Sequence, residues 1–140
     1  MEMDAPGTYV LELELPSPAD IAVGALGMLS FAPGVYAYVG SAMNGLRGRI
    51  ARHLRADKKT HWHIDYLLRE ATVTQVWHVV REQRECGIAA ALSDRCKGVA
   101  GFGCSDCRCR SHLFFCGGMP VLSRELVGLG LTASTPDAWR

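Results

Sequence analysis

No stretch of the 140-residue chain approaches the ~18 consecutive apolar residues that a membrane-spanning helix requires. The opening residues 1–7 (MEMDAPG) lack the basic-then-apolar run of a secretory signal. Neither sign of charge dominates, with 15 Lys and Arg against 14 Asp and Glu and a net charge of +1. That balance leaves the total charge silent about nucleic acid. Internal repeats and low-complexity segments are absent, which excludes a solenoid. These absences lead us to expect a cytosolic protein, whose six cysteines are then thiols or metal ligands rather than disulfides.

What is present fits a folded domain. Hydrophobic residues make up 49% of the chain and charged residues 21%, a balance suited to a packed core. A chain of this size buries roughly two-thirds of its unfolded surface, so no cofactor is needed merely to fold. Residues Tyr9 to Leu15 alternate, with Tyr9, Leu11, Leu13 and Leu15 on one side, and predict a half-buried strand. The apolar, glycine-interrupted stretch from Ile21 to Phe31 predicts another strand or two, and Gly34 to Gly40 a clear strand. Leu46, Arg49, Ile50, His53 and Leu54 recur at helical spacing, giving a helix to about Ala56. A helix from about Thr60 through Leu68, a strand from Val73 to Val80 and a helix from Glu85 to Cys96 follow.

The expected fold is therefore a small single-domain α/β sandwich. A mixed or antiparallel central sheet of three or more strands is flanked by helices. We expect the domain to span residues 1–116, with 117–140 a peripheral, partly mobile tail.

Charge is distributed unevenly. Between positions 47 and 63 lie Arg47, Arg49, Arg52, Arg55, Lys58 and Lys59, with His53, His61 and His63, against the single acid Asp57. Such a patch is a candidate phosphate-binding surface, or else the solvated face of a helix. Arg49 and His53 are one helical turn apart and share a face. His61 and Asp65 are also four apart, so a carboxylate is placed to orient an imidazole. One or two of His53, His61 and His63 are candidates for a general acid or a phosphate ligand. The structural alternative has Trp62, Ile64 and Leu67 packing while the histidines cap or hydrogen-bond.

Gly7-Thr8-Tyr9 and Tyr38-Val39-Gly40 resemble the two halves of the GIY-YIG nuclease signature, with Thr8 and Val39 in place of isoleucines. The continuation from Gly40 to His53 resembles that family's helix. The segments 58–67 (KKTHWHIDYL), Glu85-Cys86 and 101–113 (GFGCSDCRCRSHL) resemble a branch of the superfamily called DUF123. This second resemblance covers about Gly7 to Phe115 and includes the long first insertion.

The resemblance implies a metal-dependent endonuclease acting on DNA, with Mg²⁺ or Mn²⁺ as cofactor. It implies Tyr9 as base, Tyr38 as supporting tyrosine, Arg49 as phosphate clamp with Arg47 as the alternative, and Glu85 as metal ligand with Glu82 as the second candidate. Gly40 and Ser41 would let a nucleic-acid backbone approach, and Arg47, Arg52, Lys58, Lys59, His61 and His63 would contact it. Because the branch occurs alone or fused to endonuclease-III-like glycosylases, a role in DNA repair and such a glycosylase as partner are further expectations. The chemistry is coherent, since phosphoryl hydrolysis needs a base, positive charge at the phosphoryl oxygens and help for the leaving oxygen. For Glu85 the plain alternative is a carboxylate at a helix N-terminus, which is favourable by itself.

The cysteines give a competing idea. Cys104, Cys107, Cys109 and His112, with Cys116 nearby, offer enough soft ligands for structural zinc, although a standard finger uses two separated pairs. The alternative leaves partly buried thiols, with Ser105 and Asp106 making turn hydrogen bonds, or Asp106 or His112 facing the active site. A non-catalytic nucleic-acid-binding module and a zinc-stabilised interaction domain are thus the two readings that compete with the nuclease.

Overall fold

The computed structural model describes residues 2–104 and 107–140. Eight strands and four helices follow one another as β1 (Gly7–Leu15), β2 (Ala19–Ala22), β3 (Met28–Phe31), β4 (Gly34–Ala42), α1 (Leu46–Leu54), α2 (His63–Leu67), β5 (Thr72–Val80), α3 (Glu85–Ser93), β6 (Lys97–Gly98), β7 (Leu113–Gly117), α4 (Met119–Gly128) and β8 (Thr132–Ser134). Six of the strands form one sheet in the order β6-β7-β4-β1-β5-β8. Every neighbouring pair in it is antiparallel. The α/β sandwich expected from the sequence is thus present, with an antiparallel rather than a mixed sheet. Among the described residues no helix is long and apolar enough to cross a membrane.

Strand β1 lies at the centre, and both of its faces are covered. Tyr9, Leu11, Leu13 and Leu15 join the larger core with Leu46 and Ile50 of α1 and Ile64 and Leu67 of α2. Val10, on the opposite face, packs with Ala37, Val39, Trp77 and the α3 residues Ile88, Ala89 and Leu92. The half-buried strand predicted from alternation is therefore buried on both sides. Its polar position Glu12 is fully buried, and the Trp77 indole Nε1–H donates to its carboxylate at 3.2 Å. That bond offsets part of the cost of taking the group out of water.

The insertion between β1 and β4 folds as its own two-stranded sheet, β2 pairing with β3 around a 3₁₀ turn at Gly24–Leu26. Ile21, Leu26 and Leu29 pack from it onto the larger core. It therefore adds cover without disturbing the register of β1 on β4.

Residues 117–140 are not a peripheral tail. The boundary at 116 falls within β7, and β8 pairs with β5 through Val76, Trp77 and His78. A 3₁₀ turn at Pro136–Trp139 delivers Trp139 into the larger core, where it is 0% exposed. Its indole N–H donates to Ser134 Oγ at 2.8 Å, and its ring meets His78 edge-on at 5.1 Å. One large aromatic outweighs the glycine- and threonine-rich composition that suggested mobility. We expect Trp139→Ala to lower stability by about 3–5 kcal/mol, the usual cost of a buried aromatic truncation, as read from urea denaturation. A chain ending at residue 116 is expected not to fold cooperatively.

Candidate active site

A cleft of about 520 Å³ opens where the ends of β1 and β4 meet α1, the start of α2 and the start of α3. It is lined by Tyr9, Tyr38, Gly40, Ser41, Arg49, His53, His61, His63 and Glu85, residues singled out in the sequence. Met43, Asn44, Trp62, Gln83, Gly103 and Cys107 complete the wall. Arg47, Arg52, Lys58 and Lys59 do not line it.

The register of β1 on β4 sets Tyr9 directly opposite Gly40. A Cβ at position 40 would lie 2.5 Å from the Tyr9 ring carbon and hydroxyl, so the glycine is what allows the ring to lie across the neighbouring strand. Tyr9 is 1% exposed, and its hydroxyl oxygen is 2.6 Å from His53 Nε2. Burial, reinforced by Tyr38, pushes the Tyr9 hydroxyl well above its ordinary range, while the Arg49 guanidinium pulls it down. Burial also raises Tyr38, with the Glu85 carboxylate adding to the effect.

His53 is driven the other way. Burial takes it down to about 3 despite the opposing charge of Asp65, and Lys58, Arg52 and Arg49 add to the fall. It is therefore a neutral imidazole at physiological pH. His53 Nδ1 is buried with no partner among the described residues. His63 is also lowered by burial, and its Nδ1 accepts the Gly103 backbone N–H at 2.9 Å. That bond assigns the proton of the neutral ring to Nε2.

Helix α1 is fixed by backbone as well as by packing. Two of its unpaired N–H groups, on Leu46 and Arg47, donate to the carbonyls of Ala5 and Met3 at 2.9 and 2.7 Å. Arg49 stacks over the Trp62 ring, 4.5 Å from its centroid, and donates to the Ser41 carbonyl at 3.2 Å. Arg52 covers the Trp62 ring at 4.1 Å and grips the Asp65 carboxylate with two bonds of 3.1 and 3.0 Å. Asp65 Oδ2 also accepts the backbone N–H groups of His61 and Trp62, both at 2.9 Å. Asp65 thus closes the start of α2 and does not orient the His61 ring.

The basic run is largely consumed by the fold. Arg47 is half-exposed and pairs with Asp4 at 3.1 Å. The Lys58 ammonium donates to the carbonyls of His53 and Arg55 at the end of α1, and Lys59 offers its carbonyl to Arg52. Of these cations only Arg49 lines the cleft.

Glu85 opens α3 and is the one carboxylate among the described residues that lines the cleft. Its Oε1 lies 3.8 Å from His112 Nδ1. A single partly exposed carboxylate suits Mg²⁺ or Mn²⁺, which retain waters and share substrate phosphate oxygens.

The cysteines are arranged differently from the sequence reading. Sγ of Cys86, Cys107 and Cys109 and a ring nitrogen of His112 all lie within 4.8 Å of one another. Cys86, from α3, takes the position expected for Cys104. Cys104 lies outside this group and donates to the Phe102 carbonyl. Cys116 belongs to the packing on the opposite face of the sheet. Cys107 sits in a bend and Cys109 in irregular backbone, both outside any strand. Ser105 and Asp106 lie outside the described residues. Burial and neighbouring thiols push Cys104 and Cys109 up to about 12.

A family model described as "Domain of unknown function DUF123" matches residues 8–129, and the chain belongs to that family. No curated protein and no solved structure matches it.

Trp62 packs against the larger core, as one sequence reading had it, but sequence reasoning missed that its ring also carries Arg49 and Arg52. The signal was present in the pattern of arginines three residues apart, Arg49 and Arg52, ahead of a lone tryptophan. It also missed the pairing of Asp65 with Arg52. Burial by itself would raise the Asp65 carboxyl, but the Arg52 guanidinium and the two backbone N–H groups more than offset this and hold it below the usual range. A carboxyl lowered in the native state stabilises the fold fully above its unfolded value and loses that effect as pH falls through the native one. We expect Asp65→Asn to cost about 3 kcal/mol at pH 7, since it leaves a mostly buried guanidinium unpaired. The gap from wild type should narrow as pH drops below about 4, as read from urea midpoints.

Proposed function

We propose that this protein is a metal-dependent endonuclease that hydrolyses phosphodiester bonds in DNA, built on the plan of the GIY-YIG nucleases. The observation that supports it best is the convergence of Tyr9, Tyr38, Arg49, His53 and Glu85, from four elements, on one cleft. Adjacent antiparallel pairing of the two tyrosine-bearing strands is the arrangement that the GIY-YIG resemblance implies. By the same resemblance the substrate is damaged or branched DNA, and an endonuclease-III-like glycosylase is the expected partner.

The residues divide the work. Arg49, held by Trp62 and Ser41, binds the phosphoryl oxygens and opposes their growing negative charge. Tyr9, as the phenolate left once its own proton has passed to solvent through the cleft, takes the proton of the attacking water. A buried phenol resists ionisation, so it needs help. With its proton on Nε2, neutral His53 avoids an unpartnered buried N–H at Nδ1 and donates to the Tyr9 oxygen, supporting negative charge there. Arg49 acts on Tyr9 in the same sense. His63, with its proton on Nε2, is the candidate acid for the leaving oxygen. Glu85 would hold the divalent cation, which when bound supplies positive charge to the phosphate and acidifies groups around it.

The test is cleavage of end-labelled intact, nicked, abasic, uracil-containing, branched and single-stranded DNA with Mg²⁺ or Mn²⁺, with EDTA as control. Wild type is expected to cut at least one member. Tyr9→Phe and Glu85→Ala should each cut about 10²–10⁴-fold more slowly, with Tyr9→Phe binding DNA as wild type does. Cutting by Tyr9→Phe at the wild-type rate removes Tyr9 from the role of base. Salt-sensitive binding without cutting of any member would replace the nuclease by a binding module.

A further inference from the structure

We infer that Cys86, Cys107, Cys109 and His112 form a structural zinc site that ties the first turn of α3 to the 107–112 segment. Three thiols and one imidazole converge from two separate parts of the chain, with all four ligand atoms within 4.8 Å of one another. Tetrahedral zinc with Zn–S bonds of ~2.3 Å needs neighbouring ligand atoms ~3.8 Å apart. Cys107 Sγ and His112 Nε2 are already 3.4 Å apart, so the longer separations need only a small contraction. Three sulfurs and a nitrogen suit zinc and exclude Mg²⁺ or Ca²⁺, which take oxygen.

The surroundings favour a metal over chance crowding. His112 is 2% exposed and turns Nε2 toward the cysteines, while Nδ1 faces Glu85 Oε1 at 3.8 Å. A carboxylate behind the second ring nitrogen is the arrangement that orients metal-bound histidines. Residues 99–104 and 107–112 form no helix or strand, and their backbone is held by bonds such as Gly101 N–H to the Arg110 carbonyl and His112 N–H to the Phe102 carbonyl. Three ligands within them, tied through the metal to Cys86 of α3, would supply the missing constraint. The site itself does not depend on the nuclease reading. On that reading it would also fix Glu85, which adjoins Cys86 and contacts His112.

The site is tested on the full chain by elemental analysis and by Co²⁺ substitution, neither of which reads cleavage. Wild type should carry one zinc per chain, and its cobalt form should show thiolate-to-cobalt charge-transfer absorption. Cys86→Ser, at an exposed helix position, should lose most of the zinc and weaken that band by the share of one thiolate in three. Cys104→Ser and Cys116→Ser should keep both. Wild type that takes up neither metal, or that contains a disulfide within this group, overturns the site. Zinc lost in Cys104→Ser but kept in Cys86→Ser overturns the ligand set.

Discussion

The candidate site hangs on one close approach, the Tyr9 ring lying over Gly40 across the β1–β4 pair. A side chain at 40 would force the ring off the strand and away from His53. Because the register of an antiparallel pair is fixed along its whole length, the contacts at Leu13–Tyr36 and Leu15–Gly34 help to hold Tyr9 in place. The separate hairpin of β2 and β3 matters for the same reason. It takes up the long connection and leaves the pairing continuous from Gly7–Ala42 to Leu15–Gly34.

Around that contact the charged residues act mainly as scaffold. Arg52 and Asp65 join the end of α1 to the start of α2, and Trp62 between the two arginines transmits that joint to Arg49. Arg49 gains a fixed direction from an aromatic face and one carbonyl, which leaves guanidinium N–H groups for an anion. Lys58 meets the carbonyls that end α1, where positive charge complements the helix dipole. A run of basic residues that looks like a binding surface therefore contains one cation that faces the cleft, and several that keep that cation where it is.

The strands and helices as far as α3 were legible because hydrophobic period and turn residues agreed, although α2 begins at His63 rather than about Thr60 and α3 ends at Ser93 rather than Cys96. Ile88, Ala89, Leu92 and Cys96 are inward as their spacing predicted. Both faces of β1 were less legible, since Glu12 and Glu14 imitate a solvent face and only tertiary packing buries Glu12. The last segment was misread for a related reason. Nothing local says that Trp139 turns into a core against α1 and β5, far earlier in the chain. Site residues on adjacent strands and one helix were legible from their order. Cys86 was not, because twenty residues separate it from Cys107, and ligand sets are read from sequence by short spacing. Asp65 was misassigned for the opposite reason: a four-residue spacing suggested His61, whereas its partners are a backbone turn and an arginine on another helix.

Successive residues of a helix point about 100° apart, and the first turn of α3 uses that angle. Glu85 turns to the cleft between β1, β4 and α1, and Cys86 turns to the thiols of the 107–112 segment. One offers hard oxygen and the other soft sulfur, so neighbouring side chains would sort different cations to different sides of the helix. His112 stands between them, with one nitrogen toward each. A ligand on the soft side would restrain the ring, and through it the carboxylate, without adding charge directly to the cleft. On the two readings proposed above, the cysteine group is then part of what positions the catalytic wall, which explains why the resemblance that identifies the cleft also runs through the cysteines.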